Sequence, residues 1–321
     1  MKFEMKSLVV AAALVAAGAA NAAAVTGNVG QAVVVSDPAG SGRQAELTLL
    51  TGSSGTLTFS NCDSSFCYDG SDPSTAGGLI SALNAGQVTI EPVSPATGGE
   101  LRQDETDILS RYSAFASAPV TSVTADDQTG QVLRVGSAGG AKQTGVRNST
   151  LTGGFASVTN LSFDLVNRTV SATLFGVKSA VGTRPAVTYD LGTQTLWTIG
   201  TLTGPTTIPP SALTAADPVA AMSAAGFTNI QRLTDARGVY YTAEAQNQIG
   251  DLRVTTAGFD FFKNSLGLTN AGISALTAVQ SYGDVNSVLK FSVREVPEPS
   301  TYAMMAIGLV GLGFAARRRA K

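Results

Sequence analysis

Histidine is absent from all 321 residues of the chain. Its absence removes Ser-His-Asp and Cys-His nucleophiles, most zinc hydrolase sites and the usual proton shuttle near neutral pH. Charge is sparse too, with charged residues at 14 % and 21 basic against 23 acidic side chains. No basic stripe stands out, which argues against nucleic-acid binding. No lysine follows the glycine turns GSSGT and GSAGG in the manner of a P-loop, so they give phosphate binding no support. Ser287-Val288-Leu289-Lys290 has the S-x-x-K spacing of penicillin-recognising enzymes, yet neither S-D-N nor K-T-G accompanies it. The match is read as chance within strand-like sequence. No tandem repeat of fixed period is visible, which sets aside solenoids and propellers. No cofactor is expected.

What the chain does carry is concentrated at its two ends. MKFEMKSLVVAAALVAAGAANAAAV begins with Lys2 and Lys6, continues as an apolar run from Leu8 to Ala20 and reaches the small-residue triplet Ala20-Asn21-Ala22. This order is that of a secretory signal peptide, with cleavage expected between Ala22 and Ala23. The run is too short for a comfortable membrane span of about 20 apolar residues. No twin arginine precedes it, so the general secretory route and signal peptidase are expected.

The other end reads VPEPSTYAMMAIGLVGLGFAARRRAK. Tyr302 to Ala316 is uncharged and mostly apolar, and Arg317, Arg318, Arg319 and Lys321 follow. Basic residues beside an apolar span stay cytoplasmic, leaving the body of the chain outside. About fifteen apolar residues are marginal against a hydrocarbon core of roughly 30 Å, so a transient inner-membrane anchor is expected. Pro297 and Pro299 stop a helix from running back into the body and keep Val296 to Ser300 extended, as a peptide that a processing enzyme can bind.

Val296-Pro297-Glu298-Pro299, the short span and the arginine cluster together resemble the PEP-CTERM sorting signal of Gram-negative bacteria. The resemblance covers about the last twenty-six residues. It implies an exosortase-like processing enzyme as partner, Pro297, Glu298 and Pro299 as recognition residues, and the arginines as the stop that holds the tail until it is cut. None of these residues is catalytic in this chain. A plain C-terminal anchor is the alternative, although an anchor needs no Pro-Glu-Pro. The stretches TNLSFDL, LTGPTTI and GFDFFKNSLGL also resemble an uncharacterised ectodomain found with this tail, which implies no activity.

Three parts are therefore expected: a signal peptide over 1–22, a β-rich ectodomain over 23–295 and the sorting signal over 296–321. Setting aside the six basic and two acidic residues of the end segments takes the net charge from −2 to about −6. Low charge, 35 glycines and abundant Thr, Ser and Val suit a mainly β, sandwich-like fold of antiparallel sheets with a few short helices. Gly52 to Gly55 reads as the turn of a hairpin between 48–51 and 56–60. In TNLSFDLV and TVSATLF, apolar Leu161, Phe163 and Leu165, then Val170, Ala172 and Leu174, alternate with polar residues on either side of Asn167-Arg168. This predicts a hairpin with one face on a core. In TTAGFDFFKNSLGLTNAG, Thr256 is the expected helix cap, with Phe259, Phe262 and Leu266 on one face and Gly267 as the stop. A second helix is expected over 271–279. The Gly/Pro/Thr-rich stretch 204–218 reads as an excursion or a boundary, with one continuous fold favoured.

The chain has two cysteines. Outside the cytoplasm, Cys62 and Cys67 are expected to form a local disulfide that contributes only about 2 kcal/mol. Asp63, Asp69 and Asp72 in the same glycine-containing loop are a possible calcium set without EF-hand spacing; the plain reading is a solvated loop, and no metal is assigned. Glu91, Glu100, Asp104, Glu105 and Asp107 form the densest acidic stretch and are the carboxylates from which a glycan-processing site would be built. Trp197, Tyr240 and Tyr241 are the aromatic candidates for a sugar platform, weighed against burial in a core. These features lead to the expectation of a non-enzymatic surface or extracellular-matrix protein, structural or adhesive in exopolysaccharide or biofilm. The alternatives are a glycan-binding module and a carboxylate-dependent enzyme.

Overall fold

The computed structural model describes residues 23–36, 44–60, 78–147, 152–207, 210–213, 215–279 and 281–296. The first third holds β1 (Ala24–Asn28), β2 (Ala32–Ser36), β3 (Gln44–Leu49), β4 (Ser54–Ser60), α1 (Leu79–Ala85), β5 (Val88–Val93) and β6 (Thr97–Arg102). Next come β7 (Arg111–Asp126), β8 (Val132–Ser137), β9 (Gly140–Gly145), β10 (Gly154–Asp164), β11 (Thr169–Lys178) and β12 (Val187–Thr203). The last third holds α2 (Pro210–Leu213), α3 (Pro218–Ala224), β13 (Thr228–Asp235), β14 (Gly238–Val254), α4 (Thr256–Ser265), α5 (Asn270–Ala278) and β15 (Asp284–Val296).

All fifteen strands among the described residues belong to one hydrogen-bonded sheet, and it closes on itself. From β14 the antiparallel pairings run through β12, β11, β10, β8, β7, β4 and β15 and return to β14. Eight strands thus form a ring, and the remaining strands extend its walls. The mainly β, antiparallel expectation holds, with the packed faces present as walls of one continuous sheet.

Long strands make this possible by changing partners along their length. One side of β10 pairs with β9 through residues 154–159 and with β8 through 162–164. Between these lies the bulge at Asn160, which sits at φ +52°. Such bulges bend a strand and let a sheet curl into closure. β15 behaves likewise, pairing with β4 through 284–288 and with β3 through 291–296. The hairpin expected between 48–51 and 56–60 is therefore corrected: β3 and β4 lie end to end along one side of β15. Ser53 makes the joint, its Oγ donating to the Leu50 carbonyl and accepting from Lys290 N at 2.8 Å. Alternation on both sides of a glycine turn reads the same for a hairpin and for a strand that jogs.

Alternation places apolar side chains inward. In β10 the inward residues are Ala156, Val158, Leu161 and Phe163, and in β11 they are Val170, Ala172 and Leu174; Ser and Thr dominate the outer positions. This is the reverse of the alternation that a lipid-facing barrel requires. The 161–174 hairpin forms as the sequence predicts, with β10 starting earlier, at Gly154. Each fully buried Leu or Val contributes on the order of 2 kcal/mol.

Two apolar clusters flank the ring's interior. One gathers Ile80, Phe262 and Leu266 beneath α1, α4 and α5, against Leu174, Leu196 and Leu252. The other gathers Leu47, Phe291 and Val293 with Met222 and Phe227 around α3 and β13. The cap of α4 is corrected by one residue: Thr255, not Thr256, accepts from Gly258 N at 3.1 Å. Gly267 ends that segment at φ +63°, as expected of a left-handed glycine stop. Among the described residues no helix is long and apolar enough to cross a membrane.

Candidate functional site

The sorting tail leaves the fold from the end of β15. There Val296 pairs with Gln44, and Arg294 lies opposite Glu46. Arg294 Nη2 reaches Asp235 Oδ2 at 2.5 Å, and its guanidinium lies 5.2 Å above the Tyr240 ring. Arg237 Nη1 meets Glu46 Oε1 at 3.0 Å beside it. The hydrogen bond from Arg294 holds the Asp235 carboxyl below its ordinary range, assisted by the backbone N–H and charge of Arg237. These exposed contacts are individually weak, but together they fix the last strand to β3 and β13 immediately before the tail. Pro297 has no N–H with which to continue the ladder.

At the other end, Ala23 N donates to Asp127 Oδ1 at 2.8 Å, and Asp127 N returns a bond to the Ala23 carbonyl at 3.0 Å. Ala22, Cys62, Asp63, Cys67, Asp69, Asp72, Pro297, Glu298, Pro299, Arg317, Arg318, Arg319 and Lys321 lie outside the described residues.

The acidic stretch divides into separate structural tasks. Asp104 and Asp107 close turns by accepting from Thr106 N and Leu109 N. Glu91 and Glu105 face solvent. Glu100 faces the fully buried Arg111 and also accepts from Arg102 Nη2 at 2.6 Å and Ile90 N at 2.7 Å. Burial by itself would raise the Glu100 carboxyl, but Arg102, Arg111 and the Ile90 N–H together pull it below its ordinary value. Ser287 and Lys290 part company on β15: Ser287 lines the interior, whereas Lys290 pairs with Glu244 at 3.5 Å.

Trp197 and Tyr241 are 3 % and 7 % exposed, so neither presents a ring to solvent. Only Tyr240 is nearer the surface, beneath Arg294. Trp197 instead lines a central cavity of about 70 Å³ inside the strand ring. Gly55, Ala116, Ala118 and Ala141 supply small side chains to the wall, leaving the middle unfilled. Gln143, Asn247 and Trp197 are the polar residues that matter there; Gln143 and Asn247 were not legible as site residues. The available signal was the small-residue alternation Ala114, Ala116, Ala118 along β7.

Residues 295–319 match the family model described as the PEP-CTERM protein-sorting motif, and no curated protein matches the chain. The match starts inside β15 and covers its last two residues. The chain carries a PEP-CTERM sorting signal and is an exported protein, processed by exosortase and sorted to the cell surface.

Proposed function

We propose that the β-rich body is a non-enzymatic structural or adhesive component of the cell surface, held within extracellular polysaccharide or biofilm. The observation that carries this reading is the direct continuity of β15 with the sorting motif. The motif match begins within the strand, with no residues between them, so whatever retains the tail presents the barrel beside it. The lack of histidine and the structural engagement of Glu100, Asp104 and Asp107 support the absence of catalysis. Glycan binding through aromatic platforms has less support, because Trp197 and Tyr241 point into the fold.

Export follows the general secretory route, with signal peptidase cutting before Ala23 and the apolar tail anchoring the chain in the inner membrane until processing. Support for the first cut comes from Ala23 N, which would become a free ammonium 2.8 Å from the Asp127 carboxylate. Intact mass of protein taken from the surface of exporting cells tests the processing. The expected species starts at Ala23, ends near Val296 and lacks two hydrogens for a Cys62–Cys67 bridge. Retention of Arg317 to Lys321 refutes the sorting step. Deleting the whole chain should reduce cell aggregation, and deleting residues 297–321 should do so while releasing or stranding the protein. Unchanged aggregation in both strains overturns the adhesive role.

A further inference from the structure

We propose that the interior of the strand ring is a binding site for a slender, electrically neutral aliphatic molecule carrying one hydrogen-bonding group, an alcohol or an amide. Eight-stranded closed sheets are either filled by their own side chains or left with room for one small ligand. Here the wall is small where it would need to be large: Gly55, Ala116, Ala118 and Ala141 face a cavity of about 70 Å³. That space would take roughly five water-sized spheres of about 15 Å³ each.

The cavity also has two smaller neighbours. A lesser one of about 30 Å³ shares Phe59, Gln143 and Trp197 with it on the side of α1, α4 and α5. Another of about 30 Å³ shares Val132, Pro205, Thr206 and Leu289 on the opposite side. The three spaces follow one another along an apolar path, which suits a chain rather than a disc.

Polar groups within this path lack partners. Trp197 Nε1, Gln143 Oε1 and Asn247 Oδ1 are buried without a hydrogen bond among the described residues, and all three residues line the central cavity. Trp197 is 3 % exposed and Gln143 7 %. An unpaired buried donor or acceptor is costly, so such a cluster marks the place of a missing partner. A hydroxyl or amide can both donate and accept, which matches one indole N–H and two amide side chains. Among the described residues no Asp, Glu, Lys or Arg lines any of the three spaces, so a charged head group would enter uncompensated.

Trp197 is the sole tryptophan of the chain and therefore reports the site directly. The test titrates protein recovered from the surface of exporting cells with 1-butanol, 1-hexanol and 1-octanol, then with octanamide and octanoate, following indole emission. Native mass spectrometry of the same sample reads any neutral occupant already carried. Expected are saturable responses that tighten by about fourfold per methylene until the path is full, with octanoate at pH 7 at least about tenfold weaker than 1-octanol. Gly55→Val fills the cavity with little strain, since a β-carbon at Gly55 meets nothing nearer than 3.7 Å. It should weaken 1-octanol about tenfold or more. Trp197→Phe, followed by thermal shift, should weaken alcohols about threefold to tenfold while leaving the fold intact. A sample with neither a bound occupant nor a saturable response, which is the water-filled case, overturns the proposal. So does an unchanged response in Gly55→Val, which places the binding elsewhere.

Discussion

The most demanding test of the fold is the buried pair Glu100–Arg111. Arg111 opens β7 and is 0 % exposed, yet it carries a charge that arginine does not give up. Its Nη1 faces Glu100 and its Nε donates to Asn84 Oδ1 at 3.1 Å. Asn84 in turn donates to the Arg111 carbonyl at 2.7 Å, so α1, β6 and β7 meet at one knot. Glu100→Gln keeps the shape and leaves the guanidinium buried without its counter-charge. Breaking a buried pair in this way costs about 3–5 kcal/mol. At about 2–4 °C per kcal/mol for a chain of this size, Tm should fall on the order of 10 °C. Arg111→Met should cost less, because Glu100 keeps Arg102 and the Ile90 N–H. Joining Glu100→Gln to Arg111→Met should cost less than the sum of the two single changes. Urea unfolding followed by Trp197 emission measures all four proteins. The pH dependence gives a second readout. The folded Glu100 carboxyl lies below its ordinary value of 4.5, so its stabilisation is present above that value. That stabilisation is lost as pH falls through the lower, folded value. Glu100→Gln should therefore flatten the loss of stability in acid. A cost below about 1 kcal/mol for Glu100→Gln, or an unchanged acid slope, refutes the reasoning.

Three further substitutions probe the packing at the helix end of the ring. A β-carbon at Gly145 would lie 2.4 Å from the Leu266 carbonyl oxygen at the seat of α4, so Gly145→Ala should cost about 1–3 kcal/mol in urea unfolding. A wild-type midpoint for that variant would mean that the Leu266 carbonyl, just past the end of α4, does not approach Gly145 so closely. Thr255→Ala should cost about 1 kcal/mol through loss of the cap on Gly258 N, whereas Thr256→Ala should stay within about 0.5 kcal/mol. Equal effects at the two positions would show that the helix starts elsewhere.

Local features of the fold could be read from the chain because each is written within a few residues. Leu161, Phe163, Val170, Ala172 and Leu174 declare both strands of a hairpin, and the capping threonine was located to within one position. Neighbours in the sheet were harder, because alternation tells which face is inward and not which strand lies alongside. In the sequence AVTYDL and QTLWTIGTLTG look like two strands, yet they lie on one, β12; GVYYTAEA and DLRVTT likewise lie on one strand, β14. Closure itself depends on Tyr241 to Ile249 meeting Val285 to Val293, a pairing that no local pattern specifies.

The same contrast separates the two functional features. A sorting signal is written as a run of consecutive residues, so it is legible from Val296 onwards. A site inside a barrel is assembled from strands far apart in the sequence. Gln143 comes from β9, Trp197 from β12 and Asn247 from β14, and each alone reads as an ordinary strand residue. The sequence leaves Trp197 between a surface platform and a core residue, and its geometry joins parts of both: its ring is buried like a core residue, while its N–H finds no partner among the described residues, as at a binding surface. That combination arises only where an apolar interior has been left partly empty, and in this chain the emptiness comes from the glycine and alanines placed opposite the indole.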